Sequence, residues 1–578
     1  MKWILTWILL GTYYLALAQH TIPVDRLTDW GHVGYNGDTT ISYQVVLLEN
    51  YFSDTLGQVD QSPILQNLLT QQQVPTEYIF PKGHFLFKST LQIPSYTKLT
   101  GQGSGSSKLL FDMDKAGHCL SSTGNGLNGN SCPLTDSVFK GQHFIRTDSS
   151  APLFYTGEIL YLVDDDHNFM HNSWAYGSSG QYLTVDVHRN DTLFVLEPIR
   201  RAYAPLLNAS LTKANMNREV HIRCLKLERL DQWHDQKSNV FFSFTSHSTV
   251  SGIASSRCDY AHVETRYSKN ITIEGSYFNK GISYGRGGKA YGTLLHLGSC
   301  DVLVQENNFD HLRHSMLLQA GANGNVLIFN YSTEPHWTEP FIPSNSAGDL
   351  VLHGNYPYMN LMEGNVVQNI VIDNSHGASG PYNTFFRNRA ESYGFVIMAS
   401  SGTHSQNVIG NEIPNLDPFK GLYHLPGADH YEYGNFVRGH ILPSPISSLN
   451  TSSLYSMNHP LSSFIGFPHI PGSKTIPVQA LRTEGLFTSC HHTSTLGNTY
   501  QGTASQSVIL YPNPVNSTLN LEGMHGKVSV IDLRGKKILD LTKNQNEISL
   551  DVGFLIPGTY LLRIEDDQQS FTKIFIKQ

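Results

Sequence analysis

Asn270-Ile271-Thr272-Ile273, Asp301-Val302-Leu303-Val304, Asn325-Val326-Leu327-Ile328 and Asn369-Ile370-Val371-Ile372 repeat one pattern: a polar starter followed by a short apolar alternation. A frayed copy follows at Asn407-Val408-Ile409. The starters stand 31, 24 and 44 residues apart, and the last gap is close to twice a repeat of about 22. A period of two marks a strand with one face buried. A strand recurring at such a spacing is one turn of a solenoid, whose coils bury their apolar faces only by stacking. The intervals are short and carry no helical periodicity, which excludes a βαβ arrangement. The expected fold is all-β: a right-handed parallel β-helix followed by a small C-terminal β-sandwich. The flank of such a stack is a long polar surface suited to an extended chain.

Composition agrees. Among 578 residues only 15% are charged and 49 are Gly, a balance that suits turn-rich β structure. The net charge of −8 offers no basic footprint for nucleic acid. Lys2, the apolar run Trp3–Leu17 and the small-x-small site Ala16-Leu17-Ala18 predict a signal peptide over 1–18. Nothing later in the chain approaches the ~20 apolar residues of a membrane span. Six cysteines are present, of which Cys119 and Cys132 are near enough in sequence to staple one loop in an exported protein. No cysteine or histidine spacing reads as a zinc site.

The β-helix is expected over 19–440, with a β insertion near 150–205 where Glu158–Val163, Gln181–Val187 and Thr192–Leu196 break the coil rhythm. The apolar spacing of Ile64, Leu65, Leu68 and Leu69 predicts a short helix over 63–73 that caps the open end of the stack. Prolines 443, 445, 460, 468, 471 and 477 mark 441–507 as irregular coils and linker. Alternating strands and turns over 508–578 form a separate small unit.

Two resemblances follow from particular residues. Tyr78-Ile79-Phe80-Pro81-Lys82-Gly83, Leu91-Gln92-Ile93-Pro94 and Leu99-Thr100-Gly101-Gln102-Gly103 resemble the opening coils of the pectate-lyase-like β-helix superfamily, over about residues 55–112. That superfamily includes lyases, hydrolases, epimerases and non-enzymatic fibre proteins, so the resemblance implies fold more than chemistry. Tyr511-Pro512-Asn513-Pro514, Leu533-Arg534-Gly535-Lys536, Leu555-Ile556-Pro557-Gly558-Thr559-Tyr560 and Lys573-Ile574-Phe575-Ile576 resemble the C-terminal sorting domain of the type IX secretion system of Bacteroidetes. This implies export through that machinery to the cell surface, with outer-membrane attachment, or to the medium.

The densest polar segments overlap the coils. Arg286 or Lys289, Arg313 and Arg387 form a basic ladder if they fall in one column, which would suit an anionic polysaccharide such as a uronate or sulfated glycan. β-Elimination needs a base, a cation on the uronate carboxylate and a proton for the leaving oxygen. In the lyases that the opening coils resemble, Arg or Lys often serves as base, and carboxylate-held Ca²⁺ often neutralises the substrate. The catalytic candidates are therefore Arg313 or His314 as base and Arg387 as carboxylate partner. Trp337, as a sugar platform, His353, Glu363 and Arg389 join Arg286 and Lys289 as substrate-binding candidates. The coils show no acidic cluster equal to a pectate-lyase calcium site, so the metal is left unassigned and Ca²⁺ rests on the resemblance alone. The expected function is a lyase on an acidic glycan; a glycoside hydrolase and a non-catalytic glycan-binding or adhesive β-helix are the alternatives.

Overall fold

The computed structural model describes residues 22–148, 152–444, 449, 451, 453–455, 509–511, 515–522, 526–532, 536–543, 547–565 and 570–577. The signal peptide read at 1–18, most of the 441–507 linker, and 512–514 and 533–535 of the sorting motifs lie outside the described residues. The chain divides into two compact units, with the boundary at 492/493. No helix among the described residues is long and apolar enough to cross a membrane.

The first unit is a right-handed parallel β-helix with three faces per coil. The first face carries the repeat: Lys269–Glu274, Leu303–Gln305, Val326–Ile328, Leu361–Glu363, Thr384–Phe386 and Asn407–Ile409 pair in parallel, one coil to the next. One inward row runs through the stack in register, from Ile222 through Val250, Ile273, Val304, Leu327, Met362 and Phe385 to Val408. All of these side chains belong to one buried core. The second face carries Tyr277–Gly281, Asn308–Asp310 and Tyr331–Thr333. The third carries Leu120–Thr123, Val240–Ser243, Ala261–Arg266, Tyr291–His296, His314–Leu318 and Leu350–Leu352. Val366–Ile372 rounds a corner, pairing with the second face through Val366 and the third through Ile370–Ile372. The Asn369 copy of the repeat therefore belongs to the third face. The first-face strand of its coil is Leu361–Glu363, and the apparent double gap comes from a long loop at 334–349.

Corners are held by stacked amides. Asn307, Asn330, Asn365, Asn388, Asn411 and Asn435 form one ladder. Asn325, Asn360, Asn383 and Gln406 form a second. Asn330 Oδ1 accepts from the backbone and side-chain amides of Asn307 at 3.0 Å, while its own Nδ2 donates to Val304 O and Asn365 Oδ1 at 2.9 Å. Polar corners can thus be buried with their hydrogen bonds made. The helix Ser62–Thr70 buries Leu65 and Leu69 in the core of the first coils.

The insertion is wider than 150–205. Six antiparallel strands, beginning with Gly126–Pro133 and including Ser210–Asn215, leave the third face after Leu120–Thr123 and return before the first-face strand Val220–Arg223. The sheet has its own core around Leu160, Leu162, Leu183, Val185 and Leu211. It docks along the corner between the third and first faces. Lys269 Nζ, fully buried, donates to Glu197 at 2.7 Å and to Asp301 at 2.9 Å, and Arg200 pairs with Asp301 and Asn323. Tyr358 donates to the Ser179 carbonyl at 3.0 Å. Gly321, at φ +70°, abuts the Ser178 carbonyl so closely that any side chain would collide.

Cys119 and Cys132 are both free and buried, which corrects the expected staple. Cys119 lies in the β-helix core beside Arg229, whereas Cys132 belongs to the core of the insertion. The second unit pairs a three-stranded antiparallel sheet with a four-stranded one. They enclose Leu519, Leu521, Val530, Leu550, Leu562, Ile564 and Phe575, a small sandwich as read from its motifs.

Candidate functional site

The third face is open to solvent along a groove of about 900 Å³. Its floor is the outward side of successive strands. Leu295, Leu318 and Leu352 point inward in register, so the residues that follow them, His296, Gln319 and His353, stack outward in a column. Arg266 pairs in register with His296 at one end, and Asp373 follows Ile372 at the other. From His118, beside the Leu120–Thr123 strand, to Asp373 the floor crosses seven strands, or about 29 Å at the 4.8 Å strand spacing.

One wall consists of loops between the second and third faces: 230–239, 282–290 and 334–349. The other is the insertion, which brings Trp174 to the rim. The Asp166 carboxylate shapes that approach by accepting from Gly177 N and Ser179 N at 2.8 and 2.9 Å, and Asn172 Oδ1 meets His376 Nδ1 at 2.7 Å. The Trp174 ring stands edge-on to His376. Trp337, on the 334–349 loop, lines the facing wall, and Tyr260 and Tyr291 lie between. Gly288 has no room for a side chain against the Tyr260 ring. Gly285, Gly287 (φ +84°) and Gly288 form a tight turn of the wall.

Two histidine–carboxylate pairs occupy the floor. His353 Nδ1 donates to Asp373 Oδ2 at 2.5 Å, which leaves Nε2 as the free nitrogen. Burial alone would raise the Asp373 pKa, but the hydrogen bond and charge of His353 hold it below the usual carboxylate range. His296 Nε2 lies 3.0 Å from Glu264 Oε1, and Ser238 donates to the other oxygen at 2.5 Å. Glu264 is likewise kept ionised against its burial. His314 packs behind His353 with Nδ1 on the Gly348 carbonyl. Burial, with the nearby Arg313 charge, drops its pKa to about 3, so it stays neutral and supports His353 rather than meeting solvent.

Two of the groove's arginines stand apart from several others. Arg200, Arg201, Arg229 and Arg389 all hold carboxylates. Arg266 and Arg313 meet no carboxylate among the described residues. Arg266 lies over the Phe241 ring at 4.5 Å, and Arg313 Nη1 donates to the Gly285 and Gly287 carbonyls. Among the described residues the Nε atoms of both arginines and Gln319 Oε1 have no hydrogen-bond partner.

Of the residues singled out from sequence, Arg286, Arg313, Trp337 and His353 line this groove. Lys289 is half-buried in the 282–290 loop. The ladder of Arg286, Arg313 and Arg387 does not form. Arg387 turns, at φ +52°, onto the first face, where its guanidinium donates to the carbonyls of Leu449 and Thr451. Glu363 is buried on that same face, accepting from Leu454 N and Tyr455 N at 3.0 and 3.1 Å. Arg389 is on the second face, paired with Glu391 and Glu412. Glu264, Arg266, Asp373, His376 and Trp174 belong to the groove and were not singled out from sequence. Calcium does not fit the donors present. Glu264 and Asp373 are each committed to a histidine, and Glu339 to Arg286 at 2.9 Å. No group of three metal-type donors occurs among the described residues.

Residues 509–578 match the family model "Secretion system C-terminal sorting domain". A type IX sorting domain is thus present, and it directs the chain to export, at the cell surface or into the medium. No curated protein matches the chain. Among solved structures the chain is similar to phage tailspikes. The gp61 tailspike of Pseudomonas phage phi297 is 12% identical, with 68% of this chain and 75% of that chain covered and a TM-score of 0.37. The gp49 tailspike of Pseudomonas phage LKA1 is 11% identical, with 70% and 82% covered and a TM-score of 0.34. The Gp54 tailspike of Acinetobacter baumannii bacteriophage AP22, solved with A. baumannii capsular saccharide, is 12% identical, with 68% and 69% covered and a TM-score of 0.34.

Proposed function

We propose that the protein is an exported polysaccharide lyase that cleaves an acidic glycan by β-elimination in the third-face groove. Its sorting domain supports delivery to the outer surface, with the 1–18 signal peptide supplying the first export step and outer-membrane attachment the destination. The observation that carries the reading is a pair of arginines with no carboxylate partner among the described residues, Arg266 and Arg313, sharing one open groove with the His353–Asp373 pair in an acidic protein. Buried or half-buried cations without counter-charges are costly, and a polyanionic chain supplies what they lack.

In this reading Arg313 meets the uronate carboxylate and favours the enolate form. His353 Nε2, its ring oriented by Asp373, takes the proton α to that carboxylate. The electrons form the C4–C5 double bond as the C4–O bond breaks, and the imidazolium returns the proton to the leaving oxygen. Arg266, Arg286, His296 and Gln319 hold neighbouring sugars, and Trp174 and Trp337 offer ring faces. Hydrolysis is less well served. It needs two carboxyls within about 9.5 Å, whereas the two carboxyls of the floor, Glu264 and Asp373, stand four strands apart, about 19 Å, each engaged by a histidine.

The test is to incubate the chain with alginate, polygalacturonate, ulvan and chondroitin sulfate and to follow the ultraviolet absorbance of an unsaturated product. His353→Ala should lower that rate by at least about 100-fold with binding retained. Reducing ends without the absorbance would make the protein a hydrolase. Binding without turnover in the wild type would make it an adhesive or glycan-binding β-helix.

A further inference from the structure

The 334–349 loop carries a feature that the chemistry above does not use. Its tip, Glu339-Pro340-Phe341-Ile342, turns tightly with Pro at the second position and Phe341 at φ +68°. That is the pattern of a type II turn, whose third position calls for glycine or asparagine. A bulky residue there is strained. The strain brings no packing in return, because Phe341 is fully exposed.

The tip is not loose. Glu339 is tied to Arg286. Trp337 N donates to Ser344 O at 2.9 Å and its indole to Pro343 O at 3.2 Å. Thr338 N reaches Tyr284 O, and Asn369 Nδ2 holds Asn345 O at 3.0 Å. A pinned base thus holds an aromatic ring out in water. Ile342, the next residue, lines the groove and is itself half-exposed, and Trp174 stands on the other rim. The apolar edge is continuous with the groove.

We infer that Phe341 is a sugar-stacking subsite at the groove rim, gripping the glycan outside the reaction centre and giving the protein its preference for long chains. This rests on the polysaccharide reading above. Strain tolerated at a pinned, solvent-facing turn points to a binding duty, and an aromatic face beside an amphipathic sugar ring is a fitting partner for it.

The test uses the full chain in a His353→Ala background, so that turnover does not interfere. Affinity is measured for alginate, polygalacturonate, ulvan and chondroitin sulfate, each as a long chain and as its tetrasaccharide. Phe341→Gly should weaken long-chain binding by about tenfold, leave tetrasaccharide binding unchanged and leave the melting temperature equal or higher, since glycine relieves the strained φ. Phe341→Trp should restore long-chain affinity. Equal long-chain affinity for Phe341→Gly and the parent overturns the subsite while leaving the groove reading intact. Equal loss for long and short chains also overturns it. If the parent binds none of the four glycans, the groove reading falls as well.

Discussion

The third and first faces of the β-helix are built from the same coils, and each carries both arginines and carboxylates. On the third face Arg313, Arg266 and Glu264 line an open groove, and Asp373 stands behind His353. On the first face Arg387 and Glu363 are sealed. The outer side of that face is apolar through Val326, Ile328, Leu361, Phe386 and Ile409, and chain segments containing Ile22, Trp30, Leu454 and Tyr455 lie on it. Trp30 donates to Met359 O at 3.1 Å, and Arg26 reaches Asp429 O. In a solenoid, then, the face a charged residue occupies decides whether it can meet a ligand. Residue type alone does not.

The sharpest way to break this contrast is at the corner between the two faces. Lys269 is fully buried between Glu197 and Asp301, and burial is outweighed by those two charges, which hold its ammonium firmly protonated. Lys269→Met leaves Glu197 with no cation and should cost about 3–5 kcal/mol in urea-induced unfolding. Because the network fixes the insertion to the coils, the same variant should loosen the Trp174 wall, read as faster proteolysis within 126–215. A change under about 1 kcal/mol would mean that the insertion is held by its apolar contacts instead.

How much of this was legible beforehand follows from the same geometry. The inward row from Ile222 to Val408 forces an apolar residue at every other position, so the coils and their stacking could be read directly. Loop lengths could not. The long loop at 334–349 disguised one coil as two and drew Asn369 onto the wrong face. The grouping of Arg387 and Glu363 with Arg313 failed for the same reason: they are polar residues near coil corners, and the corner fixes the face. A usable signal for the groove was present all the same. Leu295-His296, Leu318-Gln319, Leu352-His353 and Ile372-Asp373 each end a third-face apolar run with a polar residue, so one outward column could have been traced. The contribution of Trp174 had no such signal, because it depends on where the insertion docks.

The sealed face predicts a pH effect of moderate size. Burial pushes the Glu363 pKa up to about 7, against the opposing hydrogen bonds of Ser453, Tyr455 and Leu454. Its folded-state pKa lies above the ordinary carboxylate value, so this group's contribution is fully present below about pH 4.5 and fades as pH rises through about 7. The loss should be on the order of 3 kcal/mol. Glu363→Gln should flatten that part of the stability curve, measured as unfolding midpoints from pH 4.5 to 8. The Leu454 and Tyr455 amides should lose protection from hydrogen exchange over the same range in the wild type. A wild-type curve already flat there would show that Glu363 is ionised under the covering segment.

The smallest effect is expected at the open face, and it separates a lining residue from one that binds. Arg286 sits in the groove wall, yet its side chain is 87% exposed and paired with Glu339. Exposed pairs contribute little, so Arg286→Ala should change unfolding stability by less than about 0.5 kcal/mol. Its loss does leave the Glu339 carboxylate facing the groove with no cation, and an anionic glycan would then meet a negative charge. Binding should weaken a few-fold at low salt, and the deficit should shrink as salt screens it. Arg313→Ala removes a cation that has no carboxylate of its own, and its binding loss should be larger and persist in salt. If the two variants behave alike, the distinction between paired and unpaired arginines carries no weight in this groove.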